Sequence, residues 1–536
     1  MTDLPELPRC LSGALFPSFV LALAMAMTLL LLKRRLGSSS LPLPPGPRRL
    51  PIIGNLLDMP SSFPAHKFDA MGKELKTDII YLNVAGTNLL VLNSFQAADD
   101  LLEKRSRIYS GRPRFTMVNE LMGWDRDFIF MTYGEDWKAH RRLFQQEFLH
   151  GQVNAEHHPH ELKANRTLLL NLLDDPKDFR EHLRLMSGSL LISVTYGIDV
   201  KDKNDRHLQN AENGLDILLH ALNPGSFLVD SLPWLKYIPE WFPGASFKSK
   251  AREWRSLHRR LEHEAFDATK QDMASGTFQP SFVSSSVQRM LGDVDQSTHR
   301  TQDNEALIRE TASSMYEAGT DALFTTLLSF ILAMTCFPEY QETAQQEIDR
   351  VVGNGRLPEL SDKDSLPYCE AIMKEVFRWQ PPGPVGISHH ISVEDEYRGY
   401  RIPRDTTVIS NNWSIFHDET MYPNSYDFNP ERWLTTLEDG QVVPNPDIRG
   451  VTVGFGSGRR ICPGRQFALS ATFLNVVSIL ALFDIRKPID ESTGNVIEPS
   501  MKFISLLQNR PAPFECSIRP RSDKHEMLLR SVMEHL

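Results

Sequence analysis

The distribution of apolar and polar positions divides the chain before any composition is considered. Residues 11–32, LSGALFPSFVLALAMAMTLLLL, run for 22 positions without a charge. As a helix this stretch would span roughly 33 Å, the thickness of a bilayer core. Lys33-Arg34-Arg35 follow it, while Asp3 and Glu6 precede it. A cleaved signal peptide carries its basic cluster ahead of a shorter apolar run. The pattern therefore predicts one transmembrane anchor at 11–32. By the positive-inside bias, residues 1–10 form a lumenal tail and the rest of the chain is cytosolic. Residues 33–51 are basic and proline-rich (GSSSLPLPPGPRRLP from 37 to 51), an extended spacer.

Beyond the spacer the periodicity is mixed. DIIYLNVAGTNLLVLNS (78–94) alternates and is rich in β-branched residues, so it predicts a hairpin turning at Gly-Thr-Asn. FQAADDLLEKR (95–105) predicts a helix. Residues 160–225 and 249–292 repeat apolar positions at helical spacing. Asn304 is the expected N-cap of a helix reaching Cys336 ahead of Pro338, about 33 residues and roughly 50 Å. Short strands follow in HHISVEDEYRGYRIPRDTTVIS (389–410), then a glycine-rich loop leading into a last long helix. With no internal linker, 52–522 reads as one catalytic domain, mainly α with smaller β-sheets, and 523–536 as a tail. The stretch 224–247, rich in aromatics and prolines, reads either as core or as a second membrane contact.

Composition narrows the classes. The 536 residues carry a net charge of −10, and there is no basic stripe, which excludes nucleic acid as an expected partner. There is no fixed-period repeat. Five widely spaced cysteines (10, 336, 369, 462 and 516) without a CxxC pair fit a reducing compartment and argue against a cysteine zinc site.

One of those cysteines stands apart. In FGSGRRICPGRQFALS (455–470) Cys462 lies between glycine-bearing segments, and Pro463 suits the first position of a helix. A helix N-terminus favours a thiolate. The glycines admit something flat or bulky near the backbone. Arg459, Arg460 and Arg465 supply positive charge.

FxxGxRxCxG, filled by Phe455, Gly458, Arg460, Cys462 and Gly464, resembles the haem-thiolate loop of the cytochrome P450 family. Glu375 and Arg378 match its ExxR pair, Pro430-Glu431-Arg432-Trp433 its PERF/PERW motif, and Trp137 with Arg141 its WxxxR. The resemblance covers about 40–520 and is similar to fungal P450s of secondary metabolism, such as O-methylsterigmatocystin oxidoreductase-like and tryptamine-hydroxylase sequences. It implies the P450 fold behind one membrane anchor and haem b held by Cys462 as metal ligand. The haem propionates would be neutralised by Arg141 and Arg460, with Trp137 donating its indole N–H. His389 matches a propionate-side histidine of similar fungal sequences, with Ser388 where a proline is common; a core histidine is the other reading. Glu375, Arg378 and Arg432 would form a structural buried triad.

The resemblance also gives meaning to EAGTDALFTT (317–326). The family pattern is (A/G)Gx(D/E)T, in which the glycine opens a groove above the haem, the acid connects to solvent protons, and the alcohol holds a water. Gly319, Thr320 and Asp321 match, but Ala322 stands in the alcohol's place. Two substitutes are open, Thr325 one turn beyond Asp321 or a hydroxyl on the substrate. The implied activity is monooxygenation of a lipophilic metabolite (terpenoid favoured, polyketide or aromatic alkaloid as alternatives). Electrons would come from NADPH through a P450 reductase, with cytochrome b5 as an optional second donor, at the endoplasmic reticulum membrane. Arg459, Arg465, Lys138 and Arg142 would add to a basic docking face, or simply be solvated. The missing alcohol leaves open an O2-independent isomerase or dehydratase, and, ranked below it, a non-catalytic haem sensor.

Overall fold

The computed structural model describes residues 41–148, 153–200, 203–222, 226–291, 298–505 and 507–533. The anchor expected at 11–32 lies outside them, as does most of the spacer. Residues 41–44 group with Glu394–Pro403 as one compact unit, and the described residues from Pro45 onward otherwise form the second. In the first, strands Asp395–Tyr397 and Tyr400–Ile402 pair antiparallel, and the Arg401 N–H donates to the Pro42 carbonyl at 2.8 Å.

The second unit is helical. Its main helices are α1 (Pro64–Leu75), α2 (Glu135–Phe148), α3 (Val153–Asp174), α4 (Phe179–Tyr196), α5 (Arg206–Leu222), α6 (Ser246–Ser275) and α7 (Phe282–Leu291). After them come α8 (Thr298–Cys336), α9 (Pro338–Val351), α10 (Pro367–Trp379), α11 (Arg465–Leu482) and α12 (Asp523–Met533). A four-stranded sheet contains β1 (Ile79–Val84), β2 (Thr87–Leu92), β3 (His389–Ile391) and β4 (Thr406–Ser410) in the order β1-β2-β4-β3. Strand β2 runs parallel to β4, with Leu90 opposite Val408; β3 is antiparallel to β4, with His389 opposite Val408. Two smaller ladders follow: β5 (Phe483–Arg486) with β8 (Ser517–Pro520), and β6 (Phe503–Ser505) with β7 (Asn509–Pro511).

Helix α8 is the axis of the unit. It is 39 residues long, roughly 58 Å. It begins at Thr298, six residues before the expected cap at Asn304, because the polar segment ahead of Asn304 continues the helix. It packs against α2, α4, α6, α10, α11 and β7. Phe330 to Met334 have no exposed surface, as expected where a helix is apolar on every side. Asp303–Cys336 and α11 are apolar and long enough to cross a membrane, but 78% and 72% of their apolar windows are buried inside the protein, so both are core helices.

Three further expectations change. The β1–β2 turn is Ala85-Gly86, both at positive φ (47° and 96°), and Thr87 and Asn88 already belong to β2. Two positive φ angles make the tight turn whose twist matches a two-stranded ladder. Residues 523–533, read as a tail, form α12, with Leu529 buried. The core reading of 224–247 fails for its aromatics. Trp234, Tyr237 and Trp241 are 60%, 78% and 81% exposed, because prolines break the segment into short turns that cannot fold these rings inward.

Candidate functional site

Cys462 occupies a loop whose shape is set by backbone contacts. Its N–H donates to the Phe455 carbonyl at 2.7 Å, closing the loop on itself. The Phe455 ring packs on Phe377 of α10, 5.5 Å between centroids. Gly458 has φ of 57°, and a Cβ there would lie 2.3 Å from the Leu102 carbonyl oxygen, so only glycine fits. Gly464 caps α11, and a Cβ on it would just touch the Phe144 ring. Pro463 is therefore not the first helical residue; the helix starts at Arg465, one turn past the thiol. Burial pushes the Cys462 thiol up, against the pull of the Gly464 N–H, Arg141 and Arg465. Metal coordination deprotonates such a thiol outright.

Around this loop lie three arginines without a carboxylate. Arg460 is buried; its Nε donates to the Ser110 carbonyl at 2.9 Å and its Nη2 to the Met131 carbonyl at 2.6 Å. Arg141, on α2, donates to the Ile461 carbonyl at 2.6 Å. Arg112 donates from Nε to the Ile129 carbonyl and from Nη1 to the Ile387 and Ser388 carbonyls, at 2.8–2.9 Å. Burial pushes Arg460 down to about 8, Arg112 to about 9 and Arg141 to about 10. Cations so depressed call for an anion, and among the described residues none of the three has an acidic partner. Trp137 stands between them, with the Arg460 guanidinium 4.5 Å from its ring centroid. Its indole Nε1 is buried without a hydrogen-bond partner. His389 is buried, with Nδ1 bonded to the Tyr109 carbonyl at 2.8 Å. Burial, Arg112 and Arg460 hold it neutral, down to about 3. A buried thiol, three arginines lacking counter-ions and an orphaned indole N–H fit a dianionic haem. Sequence reasoning missed Arg112, which lay inside a segment read only as a substrate loop.

Behind the loop, Glu375 and Arg378 have no exposed surface and are joined by two hydrogen bonds of 2.7 and 2.8 Å. Glu375 also accepts from Arg432 Nε (3.1 Å), Trp433 Nε1 (2.9 Å) and the Asn429 N–H (2.9 Å). Arg378 donates to the Phe416, Ser425 and Asp427 carbonyls. These bonds tie α10 to the segment just ahead of the cysteine loop.

Helix α8 passes the site with one turn uncovered. From Glu310 to Thr335 every residue is buried except Ala318, Gly319, Thr320 and Ala322. A Cβ on Gly319 would lie 2.7 Å from Leu191 Cδ1, so its bare side faces α4 and permits that close crossing. The Thr320 hydroxyl donates to the Tyr316 carbonyl at 2.8 Å. Asp321 is buried and ion-paired with Arg510 of β7. Burial raises its carboxyl, opposed first by Arg510. Thr325 is fully buried and its hydroxyl has no partner. Arg510 carried no sequence signal beyond a charge between Asn509 and Pro511.

This arrangement defines the class: the chain belongs to the cytochrome P450 family, whose model matches residues 44–513. It is similar to cytochrome P450 monooxygenase ple1 of Rhodocybe pseudopiperita (41% identical, 91% of each chain). It is also similar to cytochrome P450 monooxygenase 98 of Postia placenta (40% identical, 92% of this chain and 93% of the relative). Tryptamine 4-monooxygenase of Psilocybe cyanescens is 38% identical over 91% of this chain and 94% of its own. The protein is a P450 monooxygenase.

Proposed function

We propose that the protein inserts one atom of O2 into a lipophilic secondary metabolite, at the endoplasmic reticulum membrane, using two electrons from NADPH delivered by a P450 reductase. The second oxygen atom leaves as water with two protons from solvent. The observation that carries the reading is the uncovered turn of α8, where the surface offered is Ala318 and Ala322 rather than a polar side chain. Ile387, 42% exposed beside the Arg112 contact, is apolar as well. Apolar walls with few polar groups suit a lipophilic ligand. Terpenoids remain the favoured class; the tryptamine named for one relative keeps an aromatic alkaloid in view.

Haem, when bound, supplies the oxygen-activating chemistry. Cys462 would hold its iron, and Arg112, Arg141, Arg460 and Trp137 its carboxylates. Asp321 stores a proton close to the uncovered turn. The 11–32 segment would anchor the chain, and the exposed Leu228, Trp234, Tyr237 and Trp241 would rest on the same membrane. Ala322 alone favoured an O2-independent reaction; a retained buried acid and monooxygenase relatives weigh against it.

Microsomes carrying the full chain and a reductase should show a thiolate-type carbon-monoxide difference spectrum. Sesquiterpenes, aromatic polyketides and tryptamine would be incubated under 18O2 with NADPH. A product carrying one labelled oxygen is expected. Product formed without NADPH and O2 would overturn the reading.

A further inference from the structure

The hydroxyls of α8 follow one rule with one exception. Thr311, Ser314, Thr320, Thr326, Ser329 and Thr335 each donate to the carbonyl four residues back, at 2.7–3.0 Å. Ser313 donates to Glu317 Oε1 at 2.7 Å. Among the described residues of α8 from Ile308 onward, Thr325 alone leaves its hydroxyl unbonded, although fully buried. Its default acceptor, the Asp321 carbonyl, is one turn back, so the hydroxyl is turned toward something else.

Two more orphans surround it. Arg510 holds one oxygen of Asp321, while Oδ2 is buried without a partner. The Gln508 side chain lies within hydrogen-bonding reach of Asp321, and its Oε1 is likewise buried and unpartnered. At about 100° per residue, Thr325 falls between Asp321 and Ala322 in azimuth, one turn further on. The chemistry of the three atoms is complementary. A carboxylate oxygen and an amide oxygen only accept, and a hydroxyl donates. One water satisfies all of them by giving its two protons to Asp321 Oδ2 and Gln508 Oε1 and accepting from Thr325. Buried waters sit where two to four such groups converge.

We propose that Asp321, Thr325 and Gln508 enclose one structural water, and that this water does the work of the alcohol missing at Ala322. Arg510 is a positioning residue that pins the other carboxylate oxygen so that Oδ2 faces the water. The remaining charges around Asp321 are Arg180 on α4 and Asp216 on α5, with Glu212 of α5 close to Arg510. The proposal rests on the monooxygenase reading for its purpose, but not for its geometry.

The test uses the full-length holoprotein. A high-resolution crystal structure should show a water between the three side chains. Thr325→Val and Gln508→Leu should each lower Tm, and the double variant should lower it by less than the sum, because both remove the same water. Thr325→Ser should recover most of what Thr325→Val loses. With a compound that the enzyme oxidises, Thr325→Val should cut product per NADPH roughly tenfold or more, as losing a proton-transfer group does. An increase in Tm for Thr325→Val would mean the hydroxyl is a true orphan and would overturn the proposal. Strict additivity, or density without a water, would do the same. A wild-type protein lacking the carbon-monoxide signature would sink the monooxygenase reading, while the Tm cycle would still decide the water.

Discussion

Glu375 and Glu370 lie on the same helix, each paired with a cation one turn away, and should behave very differently. Glu370 meets Lys374 at 3.1 Å with both side chains about a fifth exposed, an ordinary surface pair. Such pairs contribute about 0–1 kcal/mol, because water screens the charges and two long side chains lose freedom. Glu375 has no exposed surface and accepts from Arg378, Arg432, Trp433 and the Asn429 N–H. Glu375→Gln keeps the shape but leaves the buried Arg378 without its counter-charge. Breaking a buried pair from one side costs about 3–5 kcal/mol. With unfolding entropy near 2.1 cal/mol/K per residue, a unit of about 470 residues has roughly 1 kcal/mol/K, so each kcal/mol is worth about 1 °C. Glu375→Gln should therefore lower Tm by about 3–5 °C and reduce the yield of haem-loaded protein, whereas Lys374→Gln should move Tm by less than about 1 °C. Differential scanning calorimetry at one scan rate, with the carbon-monoxide spectrum as the measure of loading, compares them. Equal shifts for the two variants would refute the claim that burial, not pairing, makes this glutamate matter.

Trp137→Phe should keep the ring under Arg460 but lose the orphaned N–H, weakening haem retention by roughly tenfold, the equivalent of one hydrogen bond to a charged group; haem transfer to apomyoglobin measures it. Asp321→Asn should depress product formation more than NADPH oxidation, so that hydrogen peroxide accumulates; equal loss of both would count against a proton role. Glu317 is buried, accepting from Trp124 Nε1 at 3.1 Å and Ser313 at 2.7 Å, and burial followed by Asp127 raises its carboxyl. A raised acid binds its proton in the folded state over a range where the unfolded chain has released it, so stability falls as pH climbs above the ordinary glutamate value of 4.5. Glu317→Gln should flatten that loss, read as Tm against pH; an unchanged slope would show that another group is responsible.

The sequence by itself determined the parts whose chemistry is local. The cysteine loop was legible because Gly458 and Gly464 mark places where a Cβ would meet Leu102 or Phe144. The ExxR spacing was legible because three residues make one helical turn. The family followed from those motifs together. What the sequence left open was decided by long-range packing. The exposure of Trp234 and Trp241 depends on turns that prolines set but composition does not reveal. Arg112 becomes part of an anion site only when the chain brings it beside the carbonyls of Ile387 and Ser388, more than 270 residues away. The Asp321 pairing with Arg510 joins residues 189 apart, and no periodicity records it. Local spacing encodes which groups share a helical face, whereas only the tertiary fold decides which of them are left without a partner, and it is the unpartnered groups that mark this site.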